Sequence, residues 1–340
     1  MGRVTVVIPS RNRRDLLEAL LPRLRRQTAA PAEILVVDDG SSDGSAEAAA
    51  QLGARVIRLP HPAGFAAAVN CGLRETRTYW AAVLNNDVEP AEDWLERLLR
   101  AAESHSAWFA TGKLLQQAEP ERIDGTFDAL CRGGCAWRVG HGRRDGAPWN
   151  QVRQICFTGF TASLLRRELF EKVGYLEERF QSYLEDVEFC LRCAVAGCRG
   201  IYAPEARGRH AGSATLGRWR SETVRLIARN QLLLVAKHYP EDWRKRYGRA
   251  VLAAQALWGL VAARHGRLRA YFRGKQEGMQ MFRLFRSAGS RRADPERLAA
   301  VLAESEAEIR RLQDQTGWDA YWKLYFRLAG TPGAGRQEDR

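Results

Sequence analysis

The sequence predicts an α/β protein, a mostly parallel twisted sheet flanked by helices and followed by a helical C-terminal extension. Three observations carry this expectation. Over roughly the first 110 residues, short apolar β-branched runs alternate with helical stretches, the rhythm that builds parallel sheets. Acids and amides follow directly on two of those runs, and the carboxyl ends of such strands are where these sheets bind ligands. From residue 216 the pattern turns helical and basic.

Residues 4–8 form the first apolar run, and residues 15–24 place leucines at helical spacing. A second run, 34–37, ends in Asp38-Asp39-Gly40-Ser41-Ser42-Asp43-Gly44-Ser45. An Ala-rich helix over 45–52, a short strand over 55–59, a helix over 65–75 and a fourth strand over 79–84 follow. Residues 116–154 are rich in glycine, with Trp137 and Trp149, and read as a long binding loop or short β-ribbons. Residues 157–174 and 180–197 read as helical or mixed, and 201–202 as a short strand. Pro295 opens a helix running to about Gln313, at a favoured first position, and an aromatic stretch covers 318–326. The expected organisation is a ligand-binding domain over 1–215, a basic helical extension over 216–330 and a flexible tail over 331–340.

With 340 residues and 45% hydrophobic content, the chain can bury an ordinary core, which excludes a disordered or fibrous class. The formal charge of +13 is concentrated: residues 216–292 hold 18 lysines and arginines against four acids. That region suits an acidic partner, whether anionic lipid, a phosphorylated molecule or nucleic acid. The seven cysteines are odd in number, and residues 4–8 are too short for a signal segment. A reducing cytoplasm is therefore expected. Cys190-x-x-Cys193 with Cys198 lacks a second matched pair for zinc and reads as buried small hydrophobes. No run reaches the roughly 20 apolar residues of a spanning helix. The best candidate, the uncharged run 250–263, is flanked by arginines. It suits an amphipathic helix on an anionic membrane surface, or packing on the domain or on a second subunit.

Asp38 and Asp39 can accept hydrogen bonds from a base or a ribose hydroxyl, or can form a turn and cap. Asn85-Asn86-Asp87 offers hard oxygens suited to Mg²⁺ or Mn²⁺, or a cap for a helix near Pro90. Gly64, followed by small residues, allows close backbone approach to a ligand, or simply starts a helix. Glu185-Asp186-Val187-Glu188 places three acids in four positions, suiting either a general base or a helix N-terminus. His210 can contact metal or phosphate, or be structural.

Together, Val6-Val7-Ile8-Pro9-Ser10-Arg11-Asn12-Arg13, Asp38-Asp39-Gly40-Ser41, Gly64-Phe65 with Asn70, Asn85-Asn86-Asp87, Thr158-Gly159-Phe160, Glu185-Asp186 and His210 resemble the family 2 glycosyltransferases in content and order, over about residues 3–215. The resemblance implies the GT-A fold and inverting, metal-dependent transfer of a sugar from a nucleotide-sugar donor to an acceptor hydroxyl. It implies donor contacts at Pro9, Ser10, Arg11, Asn12, Asp38, Asp39, Gly64, Asn70, Asn85 and Asn86. Acceptor contacts are expected at Thr158, Gly159 and Phe160, with Trp137 of the glycine-rich loop beside them. Asp186, with Glu185, would be catalytic, and Asp87 and His210 would hold Mg²⁺ or Mn²⁺. Asn85 stands in place of the first Asp of the family's D-x-D motif, as in rhamnosyltransferase-like members, and Glu188 stands where those often have Asp. The implied partners are a glycan or lipid-linked acceptor, an anionic membrane surface and a second copy of the chain, not nucleic acid. The implied setting is the cytoplasm, peripheral at the inner face of the plasma membrane. A nucleotidyltransferase would share fold and metal, but should carry a Gly-rich basic loop where Pro9-Ser10-Arg11-Asn12 stands. A non-catalytic basic adaptor for membrane or nucleic acid fits the charged region but not the intact acids.

Overall fold

A computed structural model describes residues 3–212, 219–287 and 293–330. The expected boundary at 215/216 and the tail over 331–340 lie outside the described residues. The chain divides into two compact units: Met1–Asp128 with Arg138–Arg218, and Ala129–Trp137 with Trp219–Arg340.

The first unit begins with β1 (Val4–Ser10), α1 (Arg14–Arg25), β2 (Glu33–Asp38), α2 (Ser45–Gln51), β3 (Arg55–Arg58), α3 (Phe65–Glu75) and β4 (Trp80–Leu84). It continues through β5 (Val88–Pro90), α4 (Trp94–Ser104), β6 (Phe109–Gln116) and β7 (Ile123–Gly125). A two-stranded ribbon follows, β8 (Asp128–Leu130) with β9 (Ala136–Arg138), and its tip belongs to the second unit. Then come β10 (Arg153–Ile155), β11 (Ala162–Arg166), α5 (Glu168–Val173), α6 (Glu185–Val195) and β12 (Gly200–His210). The main sheet runs β10-β12-β6-β11-β4-β1-β2-β3, with β5 on β12 and β7 on β6. β1 to β4 are mutually parallel where they pair, and β12 is parallel to β6.

Burial on both faces explains why β1 reads as an unbroken apolar run. Val6 and Ile8 join the core with Leu17, Leu20 and Leu24 of α1, while Val7 joins Leu35, Val37 and Ala68. Gly72 lets α3 lie close to the sheet, since a Cβ there would stand 2.3 Å from Val7 Cγ1.

Two strands differ from expectation. β11 lies antiparallel between β4 and β6. Its sequence, Ala-Ser-Leu-Leu-Arg, is a short, nearly continuous apolar run, which periodicity cannot tell from a buried helix. β12 is eleven residues long rather than two. Its register shifts between Tyr202 and Arg207, and such an irregularity breaks the alternation that marks a strand.

The second unit contains α7 (Ser221–His238), α8 (Trp243–Arg264), α9 (Leu268–Ser287), α10 (Pro295–Thr316) and α11 (Ala320–Ala329). Gly274 and Gly278 of α9 face the α7 backbone, where a Cβ would stand 2.1 Å from Arg225 O and 3.0 Å from Arg229 O. The ribbon tip is held by polar contacts. Arg132 pairs with Glu306 at 2.8 Å, the Gly133 amide donates to the Tyr325 hydroxyl, and Gln255 donates to Gly133 O at 2.9 Å. Residues 250–263 divide between two faces of α8. Ala250, Ala253, Ala254, Leu257, Gly259 and Ala262 are buried, while Leu252 and Leu260 are exposed. Among the described residues, no helix is long and apolar enough to cross a membrane.

Candidate active site

The β4–β5 turn and the end of β12 build the first half of the site. β5 pairs antiparallel with β12, His210 opposite Val88, and the Ala211 amide donates to Asp87 O at 3.1 Å. This register sets the His210 ring against the Asp87 carboxylate, with Nε2 3.2 Å from Oδ1. Behind it, His210 Nδ1 lies 2.8 Å from Asp124 Oδ2, on β7. All three side chains are buried. Burial alone would lower the His210 pKa, but the Asp124 and Asp87 carboxylates outweigh it and raise it to about 9. Burial likewise opposes ionisation of Asp124, yet Arg138 and His210 hold its carboxyl well below the usual range.

This donor set fits a divalent cation. A carboxylate oxygen converges with a ring nitrogen that would release its proton on binding a cation, and the far ring nitrogen of His210 is oriented by a carboxylate, as in metal sites generally. Among the described residues no group of three His, Cys, Asp or Glu is arranged to hold a metal. Asp87 and His210 alone would leave the remaining positions of such a cation to oxygens of a bound ligand or water, the usual habit of Mg²⁺.

The second half centres on α6. Asp186, in its first turn, accepts from the Val187 amide at 2.8 Å and from the Phe160 amide at 3.3 Å. Burial raises its pKa. Three non-glycine residues just before it, Gln181, Tyr183 and Leu184, have φ between 63° and 69°, a left-handed strain typical of functional loops. Glu185 is buried, and burial followed by the Asp186 charge pushes its carboxyl well up. Glu188 is fully buried in a salt bridge to Arg192 at 2.9 Å and is structural.

Arg138 stands between the two halves. Its Nη1 is 3.6 Å from Asp124, its Nη2 donates to Thr161 Oγ1 at 2.6 Å, and Asp124, Asp128, Asp186 and Asp87 all act on its charge. Gly159 leaves room for this grouping: a Cβ there would stand 3.2 Å from Asp128 Oδ2, 3.5 Å from Asp186 Oδ2 and 3.7 Å from Arg138 Nη2.

On the expected donor side, Asp38 Oδ2 accepts from the Ser41 amide, and Asn12 braces the same loop through Ser41 and Ser42. Pro9 lies in β1 opposite Val37, and Arg11 is exposed beyond the strand end. Asp39 accepts from the Ala63 and Gly64 amides at 2.6 and 3.1 Å, and each oxygen keeps a further lone pair. Ser10 accepts from Asn86 Nδ2 at 2.9 Å, and Asn85 donates its backbone amide to Thr161 O.

Several side chains expected to contact substrate do other work. The Asn70 amide is saturated by Leu176 O, Leu176 N and Glu178, so it clamps a loop instead of meeting the donor. Gly64, at φ 94°, makes the turn that delivers its amide to Asp39. Thr158 bonds Ser163 Oγ at 3.0 Å, and Phe160 packs edge-on to Phe189. Both side chains point into the core, leaving Gly159 and the Phe160 amide to face the carboxylates. Trp137 belongs to the second unit and packs on Trp322 at 5.9 Å.

Asp124, Asp128 and Arg138 were not singled out by the sequence. Isolated charges in a glycine-rich segment look like solvated loop residues. The available signal was that the segment is too long for a plain connection.

The glycosyl transferase family 2 model matches residues 5–174, half of the chain. The pre-mycofactocin glycosyltransferase of Mycobacterium tuberculosis is 31% identical over 219 residues, 64% of this chain but 44% of that relative. The chain thus spans less than half the length of that protein. The N-acetylglucosaminyl-diphospho-decaprenol L-rhamnosyltransferase of M. tuberculosis is 26% identical over 254 residues, 67% of this chain and 82% of the relative. Among solved structures, GalNAc-T7 with UDP, GalNAc and Mn²⁺ aligns with a TM-score of 0.59 at 15% identity, covering 83% of this chain and 56% of that one. The mannosyltransferase PcManGT from Pyrobaculum calidifontis, with GDP-Man and Mn²⁺, aligns at 0.51 and 18% identity, covering 95% and 85%. The strand-end carboxylates, the His210 register and the family match agree: the chain belongs to glycosyl transferase family 2 and carries a GT-A-type fold.

Proposed function

We propose that the protein transfers a sugar, with inversion, from a nucleotide-sugar donor to a hydroxyl of a glycan or lipid-linked acceptor, using Mg²⁺ or Mn²⁺ at Asp87 and His210. The observation that carries this reading is the grouping around Arg138. The charges of Asp87, in an imidazole–carboxylate pair suited to a cation, and of a separate, backbone-anchored carboxylate both act on the same guanidinium.

In this reading Asp186 takes the proton of the acceptor hydroxyl, and that oxygen displaces the nucleoside diphosphate from the opposite face of the sugar. The Val187 and Phe160 amides hold the carboxylate in one orientation, which lowers the entropic part of the barrier. The cation would supply positive charge to the departing diphosphate. Asp38, Asp39, Ser10 and Asn86 line the strand ends where a base and ribose would bind. The rhamnosyltransferase relative supports a lipid-linked acceptor and a deoxyhexosyl donor, and the solved neighbours support a nucleotide sugar with Mn²⁺.

Incubation with Mn²⁺, N-acetylglucosaminyl diphosphate on a short alkyl chain, and a panel of rhamnosyl, mannosyl and N-acetylhexosaminyl nucleotides tests this. Glycosylated lipid and free nucleoside diphosphate are expected. Pyrophosphate exchange instead would identify a nucleotidyltransferase, and neither product would favour a non-catalytic adaptor.

The second unit suits a peripheral role at an anionic membrane. It exposes Leu252, Leu260, Phe272 and Met279 in the region that carries the excess of basic residues. Salt-sensitive sedimentation with anionic but not neutral vesicles is the expected result. Sedimentation with neither would leave this face to a second copy of the chain.

A further inference from the structure

The Asp128 carboxylate has no role in the fold that its contacts explain. Its backbone amide bonds Phe157 O at 3.2 Å, which fixes the end of β8. Its side chain, half-buried, accepts no hydrogen bond from the described residues, and the charged groups acting on it are Asp186, Arg138 and Asp124. Asp128 Oδ2 and Asp186 Oδ2 both lie within 3.5 Å of the point where a Gly159 Cβ would stand. A side chain at residue 159 would fill the space between them. Two carboxylates brought together without donors oppose folding through repulsion and desolvation. Arg138 relieves part of this, but its closest hydrogen bond goes to Thr161. What the arrangement lacks is hydroxyl donors. Asp128, Arg138, Gly159 and Thr161 also border a cavity of about 10 Å³, room for a single oxygen atom.

We propose that Asp128 is an acceptor-binding residue. It accepts a hydrogen bond from the hydroxyl adjacent to the one that Asp186 deprotonates, so the acceptor is a sugar presenting a vicinal diol. This rests on the assignment of Asp186 as the base. Adjacent ring hydroxyls diverge from neighbouring carbons and can meet two carboxylate oxygens at once, one being deprotonated and the other only held. Asp128 thereby selects which of two neighbouring hydroxyls points at Asp186. A lone hydroxyl would leave Asp128 unpaired against Asp186.

The test uses the full chain and N-acetylglucosaminyl diphosphate on a short alkyl chain, with its 3-deoxy and 4-deoxy forms. Affinity is measured by calorimetry in the Asp186→Asn background, and kcat/KM in the Asp186 protein. Removing the neighbouring hydroxyl should weaken binding roughly tenfold to a hundredfold, as for a hydrogen bond to a charged group. Asp128→Ala should impose the same loss on the full diol and erase the difference between it and the deoxy form. Asp128→Asn, which keeps an accepting oxygen, should restore part of the affinity. Both Asp128 variants should melt at or above the parent temperature, because they remove a repulsion. Equal affinity of Asp128→Ala and its parent for the diol, absence of binding included, overturns the assignment. So does a deoxy penalty that survives Asp128→Ala. Failure of the underlying reading looks different: Asp186→Asn would keep transferring sugar whatever stands at residue 128.

Discussion

Replacing Asp186 by asparagine keeps the side chain's shape and removes its charge and proton affinity. The Val187 amide can still donate to the asparagine oxygen, but the –NH₂ then meets the Phe160 N–H, losing a long bond of 3.3 Å. That loss costs about 1 kcal/mol. Removing the Asp186 charge beside Asp128 offsets it by a similar amount, so the melting temperature should move by less than the roughly 2–4 °C that an uncompensated 1 kcal/mol would produce. Turnover should behave differently. Losing a positioned base lowers it roughly two to four orders of magnitude, or about 3–5 kcal/mol of transition-state stabilisation. Donor affinity should stay within a factor of about three, because Asp186 does not touch the strand ends that hold the nucleotide in this reading. Steady-state transfer assays, calorimetric donor titration and thermal melts of the same preparation separate these quantities. Turnover within tenfold of the parent would refute the base assignment. Loss of donor binding with residual chemistry intact would place Asp186 among the donor contacts instead.

Asp124→Asn removes the charge that orients His210, and Mn²⁺ affinity should fall roughly tenfold to a hundredfold with the fold intact. Asp87→Ala should abolish Mn²⁺ binding, and electron paramagnetic resonance of free Mn²⁺ measures both. Burial, and then the Asp186 charge, raise Asp128 from 3.8 to about 7, and burial raises Asp186 as well. Because the Asp186 base is raised, transfer should decline as pH falls from above the ordinary carboxylate range, and a pH–rate profile whose acid limb lies near 4 would contradict the paired site. Because the folded pKa of Asp128 is raised, its stabilising contribution is present below about 4 and lost as pH rises through about 7. Melts of Asp128→Ala should lack that slope. In the second unit, Glu306→Ala strands the buried Arg132 and should destabilise it by about 3–5 kcal/mol in urea titrations.

Local pattern alone determined the βαβα half of the molecule. Residues 65–75 read as helix and form α3, and β1, β2 and β4 end within two residues of expectation. These elements are buried on fixed faces, so their periodicity appears in the sequence. The same ordering placed Asp39, Asp87 and Asp186 at element ends, where side chains meet ligands. Tertiary structure decided the rest. Asp124 and Arg138 reach the site only because β7 pairs with β6, and β9 with β8, and no local spacing encodes those pairings. Asn70, Thr158 and Phe160 match family positions, yet their side chains are engaged by Leu176, Ser163 and Phe189. Whether a polar side chain braces a loop or meets a substrate depends on which partner comes within about 3 Å of it. That distance is set by chain segments far away in sequence, which is why only the folded molecule distinguishes the two.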